Sequence, residues 1–151
     1  MSSAPLFNRV ALIGFGLIGG SIARAARAQG LAGEIVTTAR SEKTRARVAE
    51  LGIVDAVLAT NAEAVKDADL VILCIPVGAC GPVAQEIAPF LKAGAIVSDV
   101  GSVKGAIVRE MAPYLPASVH FVPAHPVAGT QIQPMPISAT GSPTGKNSSR
   151  P

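Results

Sequence analysis

The stretch Val10 to Ala23, VALIGFGLIGGSIA, constrains the fold more than any other, because its periodicity changes from that of a strand to that of a helix across three glycines. Val10 to Ile13 is an apolar run of strand length, and Gly14, Gly16 and Gly19 give G-x-G-x-x-G where a helix opens. Gly14 permits a tight turn, Gly16 lets the backbone approach a pyrophosphate, and Gly19 lets the helix lie close against the strand. N–H groups at such a helix start attract phosphate, and the helix dipole adds to the attraction. Taken alone, the motif is also met by chance in glycine-rich chains, and Arg9 with the apolar residues to Ala23 has the make-up of a leader-peptide core. A dinucleotide site requires a second strand about 20 residues further on. Glu34 to Thr38, EIVTT, follows the turn residues Gly30 and Gly33 and supplies it.

The remainder of the chain alternates in the same way. Ser41 is placed to cap a helix over Glu42–Leu51, ended by Gly52, with Arg45 and Arg47 solvated on it. A short strand at Asp55–Leu58 and a short helix at Asn61–Lys66, capped by Asn61, lead to the apolar strand Leu70–Ile75, which Pro76 and Gly78 terminate. Its uninterrupted apolar character suits a parallel strand covered on both faces. A helix over Val83–Leu91, a strand at Ala95–Ser98, a helix over Val103–Tyr114 capped near Ser102, and a strand at Val119–Val122 follow. This alternation specifies an α/β fold, a Rossmann-type doubly wound parallel sheet of order 3-2-1-4-5-6. Residues 1–130 form the expected single domain. Residues 131–151, rich in proline, serine, threonine and glycine and without periodicity, are expected to be a disordered tail.

A hydrophobic share of 49% against 15% charged suits a globular domain with a real core. The net charge of +3, with one tyrosine and no tryptophan, offers nucleic acid little to bind to. No apolar segment reaches membrane-spanning length. Cys74 and Cys80 lack metal-site spacing, which reads as reduced thiols in a cytoplasmic protein.

Ligands of such sheets bind beyond the carboxyl ends of the strands, which selects Gly14, Phe15, Gly16, Leu17, Ile18 and Gly19, then Ala39–Ser41, Ile75 and Pro76 on to Gly78, Asp99–Lys104 and Pro123–Thr130. An acidic residue usually closes strand two, where it binds the adenosine ribose and repels a 2′-phosphate. Ala39 stands there instead, followed by Arg40, Ser41, Lys43 and Thr44, which favours NADP over NAD. Alternatively Arg40 only stacks on adenine and either cofactor binds. His125 falls at a carboxyl edge near the Ser102 loop, and its near-neutral pKa suits it to take a proton as hydride leaves. His120 lacks that placement and reads as ordinary surface or strand.

Together, GFGLIGGS at 14–21, VILCIPV at 71–77, SDVGSVK at 98–104 and PAHPVAGT at 123–130 resemble the nucleotide-binding half of prephenate and arogenate dehydrogenases. DVGSVK followed by HPVAGT is the specific part of the likeness, which covers about residues 8 to 130. The resemblance implies oxidative decarboxylation in tyrosine biosynthesis, of prephenate to 4-hydroxyphenylpyruvate or of arogenate to tyrosine. It also implies that His125 hydrogen-bonds the ring hydroxyl and accepts its proton, and that Ser102 positions the histidine and substrate. No metal is implied.

Members of that family continue past HPVAGT with an acidic residue and a helical domain that supplies substrate-binding arginines and most of a dimer interface. Here Gln131 and a low-complexity stretch follow. The expectation is of a truncated or frameshifted form that binds dinucleotide, turns over poorly, and is monomeric or weakly associated. A non-catalytic dinucleotide-binding module and another small reductase on the same fold are the competing readings.

Overall fold

The computed structural model describes residues 4–101 and 104–123, excepting the side chain of Lys104. The strands are β1 (Phe7–Ile13), β2 (Ala32–Thr38), β3 (Ala56–Leu58), β4 (Leu70–Leu73), β5 (Ile96–Asp99) and β6 (His120–Val122). Between them run α1 (Gly16–Ala28), α2 (Glu42–Glu50), α3 (Asn61–Val65), α4 (Val77–Ile87) and α5 (Lys104–Met111), with single 3-10 turns at Ala88–Phe90 and Ala112–Tyr114. All pairings are parallel, and the order is β3-β2-β1-β4-β5-β6, as the alternation predicts.

β1 lies at the centre because its second half can be buried on both faces. Val10, Ala11, Leu12 and Ile13 are all buried, and full burial of a side chain such as Leu12 contributes about 1.5–3 kcal/mol. Successive side chains point to opposite faces. Val10 and Leu12 pack with Ile35, Ile53 and Ala23 of α1, whereas Ala11 and Ile13 pack with Val36, Val71, Leu73 and the buried sides of α3, α4 and α5.

β1 begins three residues earlier than the apolar run, because polar Asn8 and Arg9 are held by partners at the amino edge. Asp69 accepts from the backbone N–H groups of Asn8 and Arg9 and pairs with Lys92, while Arg9 pairs with the directly opposite Glu34 at 3.0 Å. β4 is shorter than expected and ends at Leu73. Its helix starts at once after Pro76, so neither Gly78 nor Pro82 breaks it. Pro82 has no N–H to give the Gly78 carbonyl, but both residues are exposed, so water can satisfy that carbonyl. Gly81 beside Pro82 is needed where α5 passes: a Cβ there would lie 3.1 Å from the Glu110 backbone oxygen. Thr60, not Asn61, caps α3. Its hydroxyl accepts from the N–H of Glu63 and donates to the Glu63 carboxylate at 2.9 Å. The expected tail at 131–151 lies outside the described residues.

Candidate dinucleotide site

The carboxyl edge of the sheet is organised by the turn between β1 and α1. Gly14 has φ +87°, and a Cβ there would lie 2.8 Å from both the Cys74 carbonyl oxygen and Ile75 Cγ2. Gly19 faces the Gly14 carbonyl, which a Cβ would approach to 3.1 Å, so α1 sits directly on the turn. At Gly16 a Cβ would meet no protein atom within 4 Å. The loop thus presents bare backbone to an open space, as close approach of a pyrophosphate requires.

Two kinds of helix start surround this loop. α2 and α3 are closed by side chains, Ser41 accepting from the Thr44 N–H at 3.0 Å and Thr60 from Glu63. α1 and α4, which start beside the central strands, have no side-chain cap and no acidic residue in the first turn. The first N–H groups of α1 therefore keep their capacity for an anionic ligand, as do those of Val77 and Gly78 in α4, where the Ala79 N–H bonds the Pro76 carbonyl.

Three clefts meet at the glycine loop. One, of about 700 Å³, lies between α1 and α2 and is bordered by Ser21, Arg24, Arg40, Ser41, Thr44 and Arg47 over an apolar floor that includes Phe15 and Ile53. A second, of about 560 Å³, runs from Thr38, Ala39 and Arg40 past Thr60 to Ile75, Pro76 and Val83. The third, of about 590 Å³, is framed by Gly16, Leu17, Ile18 and Gly19 on one side and by Cys74–Val77 with Val100 and Gly101 on the other. Burial pushes the Cys74 thiol up to about 12, so this wall carries a neutral sulfur, not a thiolate nucleophile.

The structure thus gathers Gly14, Phe15, Gly16, Leu17, Ile18, Gly19, Arg40, Ser41, Thr44, Ile75 and Pro76 around one set of joined clefts. Asp99 stands apart. It is wholly buried, lines none of the three, and accepts from the Gly101 N–H at 2.7 Å, which fixes the course of the loop after β5. Ser102 and His125 lie outside the described residues. Arg45 is not simply solvated: it donates to the carbonyls of Ala39 and Arg40 at 3.0 and 2.9 Å and holds the loop after β2. Sequence reasoning missed Ser21, Arg24 and Thr38 at the cleft walls. Helical spacing carried a signal for the first two, since Leu17, Ser21 and Arg24 recur at i, i+4 and i+7 and share one face of α1.

The chain matches the family described as "Prephenate dehydrogenase, nucleotide-binding domain" over residues 22–145. It is 42% identical over 126 residues to the cyclohexadienyl dehydrogenase of Zymomonas mobilis, covering 83% of this chain and 43% of that protein. The fold matches prephenate dehydrogenase from A. aeolicus, solved with hydroxyphenyl propionate and NAD+, with a TM-score of 0.71 and 30% identity over 83% of this chain and 43% of that one. Synechocystis arogenate dehydrogenase matches equally, with a TM-score of 0.71 and 30% identity over 82% of this chain and 42% of that one. The chain therefore spans less than half the length of these relatives. It belongs to the prephenate dehydrogenase family, through the nucleotide-binding domain.

Proposed function

We propose that this member of the prephenate dehydrogenase family binds NADP in preference to NAD and provides the dinucleotide-binding part of an enzyme for oxidative decarboxylation of prephenate or arogenate. The observation that carries the reading is the bare backbone of Gly16 at the uncapped start of α1, open where a pyrophosphate needs to approach. Gly14 and Thr38–Arg40 would hold the adenosine side, and Gly16–Gly19 with Ile75–Val77 the nicotinamide side. Bound there, the dinucleotide supplies the hydride acceptor.

Ser102 and His125 are proposed to act on the substrate. The DVGSVK and PAHPVAGT stretches both fall within the matched residues 22–145. His125 hydrogen-bonds the ring hydroxyl and takes its proton, and Ser102 positions the imidazole. Loss of the ring carboxylate as carbon dioxide leaves an aromatic ring, which drives the reaction forward. A neutral imidazole at pH 7 is a suitable acceptor for such a proton. The proposed setting is the cytoplasm. Among the described residues no helix is long and apolar enough to cross a membrane.

The deciding experiment is calorimetric titration of the 151-residue chain with NADP and NAD, followed by steady-state turnover with prephenate and arogenate. Tighter NADP binding is expected. For residues 1–151 alone little turnover is expected, and joining them to the remainder of a relative should restore it, with His125→Asn then lowering kcat by about a hundredfold to ten-thousandfold. Normal turnover by the Asn variant would remove His125 from the chemistry, and no dinucleotide binding would remove the reading altogether.

A further inference from the structure

We infer that Arg24 of α1 and Arg47 of α2, together with Arg40, form a phosphomonoester site that selects a dinucleotide carrying a 2′-phosphate. The inference rests on the proposed NADP reading and extends it to two residues outside the loop after β2. All three arginines border the cleft between α1 and α2, and among the described residues no aspartate or glutamate borders it. Their pairing state sets them apart. Arg9 is paired with Glu34, Arg27 with Asp55, and Arg45 is spent on the carbonyls of Ala39 and Arg40. The side chains of Arg24, Arg40 and Arg47 make no hydrogen bond or ion pair among the described residues.

Like charges brought to one cleft without a counter-ion repel one another, and a doubly charged phosphomonoester relieves that repulsion while offering acceptors to several guanidinium forks. The Thr44 hydroxyl adds a donor, since it already accepts from Ser41 and its own proton is left to give. The size of the cleft, about 700 Å³, leaves room for arginine side chains to swing onto a ligand entering from the glycine loop, which forms its inner wall.

Arg40 cannot test this by itself. It borders both the α1–α2 cleft and the neighbouring cleft beneath Pro76, so it can either stack on a base in one or meet a phosphate in the other. Arg24 and Arg47 border only the first. An effect of theirs on the 2′-phosphate is therefore free of the stacking ambiguity.

The experiment is calorimetric titration of the intact chain and of Arg24→Gln, Arg47→Gln, the double variant and Arg40→Gln with NADP, NAD, 2′-AMP and 5′-AMP. Both new positions are exposed, so the variants retain the fold. Each single change at 24 or 47 should weaken NADP and 2′-AMP about five- to tenfold and leave NAD and 5′-AMP unchanged. NADP loss in Arg40→Gln alone, with Arg24→Gln and Arg47→Gln unaffected, overturns the three-arginine site but leaves the NADP reading standing. Equal losses for NADP and NAD in the Arg24 and Arg47 variants overturn it too, because they show a change in cleft shape without phosphate selection. Equal affinity of the intact chain for NADP and NAD overturns both.

Discussion

The side-chain oxygen of Thr38, the last residue of β2, accepts a hydrogen bond from the Gly14 N–H at 3.1 Å. The carboxyl end of β2 is thus tied to the turn between β1 and α1. Thr38→Val removes the acceptor at nearly constant volume and leaves the Gly14 N–H without a partner, at a cost of about 1–3 kcal/mol. Chemical denaturation should read that loss, and titration should show weaker binding of NADP and NAD alike. Thr38→Ser should restore both; a Val variant with unchanged affinity would show that the loop holds its shape without this bond.

Gly14 and Gly16 should fail in different ways. Gly14→Ala places a Cβ at 2.8 Å from the Cys74 carbonyl at φ +87°, so strain of about 1–3 kcal/mol combines with overlap. A lowered Tm in the free protein is expected. Gly16→Ala also carries backbone strain, at φ +31°, but meets no protein atom within 4 Å, so its Tm should fall less than that of Gly14→Ala while dinucleotide affinity collapses, because the added methyl occupies the ligand's space. Comparable Tm losses for the two would contradict this division.

Acid sensitivity should trace to Asp69 and Asp55. The hydrogen bond from Lys92, with those from the N–H groups of Asn8 and Arg9, holds the Asp69 carboxyl below its usual range. At Asp55 burial pushes the pKa up, but the Ile35 N–H and the Arg27 guanidinium outweigh it and the net shift is downward. Depressed folded-state values mean that the stabilisation is fully present above the unfolded pKa of about 3.9 and is lost as pH falls through the lower folded values. Asp69→Asn should flatten the acid limb of a stability-against-pH curve, and an unchanged limb would assign it to other groups.

Neither thiol should react in the native protein. Cys80 is wholly buried, and Cys74 is held neutral by burial, with a pKa pushed up to about 12. Mass spectrometry after maleimide treatment at pH 7.5 should find no adduct before denaturation and adducts at both cysteines after it. Rapid native labelling of Cys74, which borders the third cleft, would show that burial does not hold its thiol neutral.

The order of the sheet was legible because strands and helices alternate along the chain at the spacing of a doubly wound parallel sheet, whose usual order is 3-2-1-4-5-6. What the sequence hid was set by contacts between distant residues. Pro76, Gly78 and Pro82 look like interruptions until α5 is seen passing at Gly81, where α4 must run without a side chain. Polar Asn8 and Arg9 look like chain outside a strand until Asp69 and Glu34 are seen to hold them. The glycine positions of the site could be read directly, since backbone conformation is local. Helical spacing put Arg24 on the face of α1 that carries Leu17 and Ser21, but only the tertiary placement of α1 and α2 brings it and Arg47 to the cleft that Arg40 also borders.

β1 supplies alternate side chains to the packing on both faces of the sheet, Val10 and Leu12 to one and Ala11 and Ile13 to the other. Neither layer can melt while its partner survives, since each would lose the same strand, and the loop that β1 feeds is thereby attached to the least dispensable part of the chain. Ligand occupancy there is consequently felt by the whole domain: it raises the free energy of global unfolding by RT ln(1 + [L]/Kd), about 2.7 kcal/mol at a hundredfold excess over Kd. The melting temperature becomes a gauge of cofactor affinity, and amide exchange slows in helices that never touch the nucleotide.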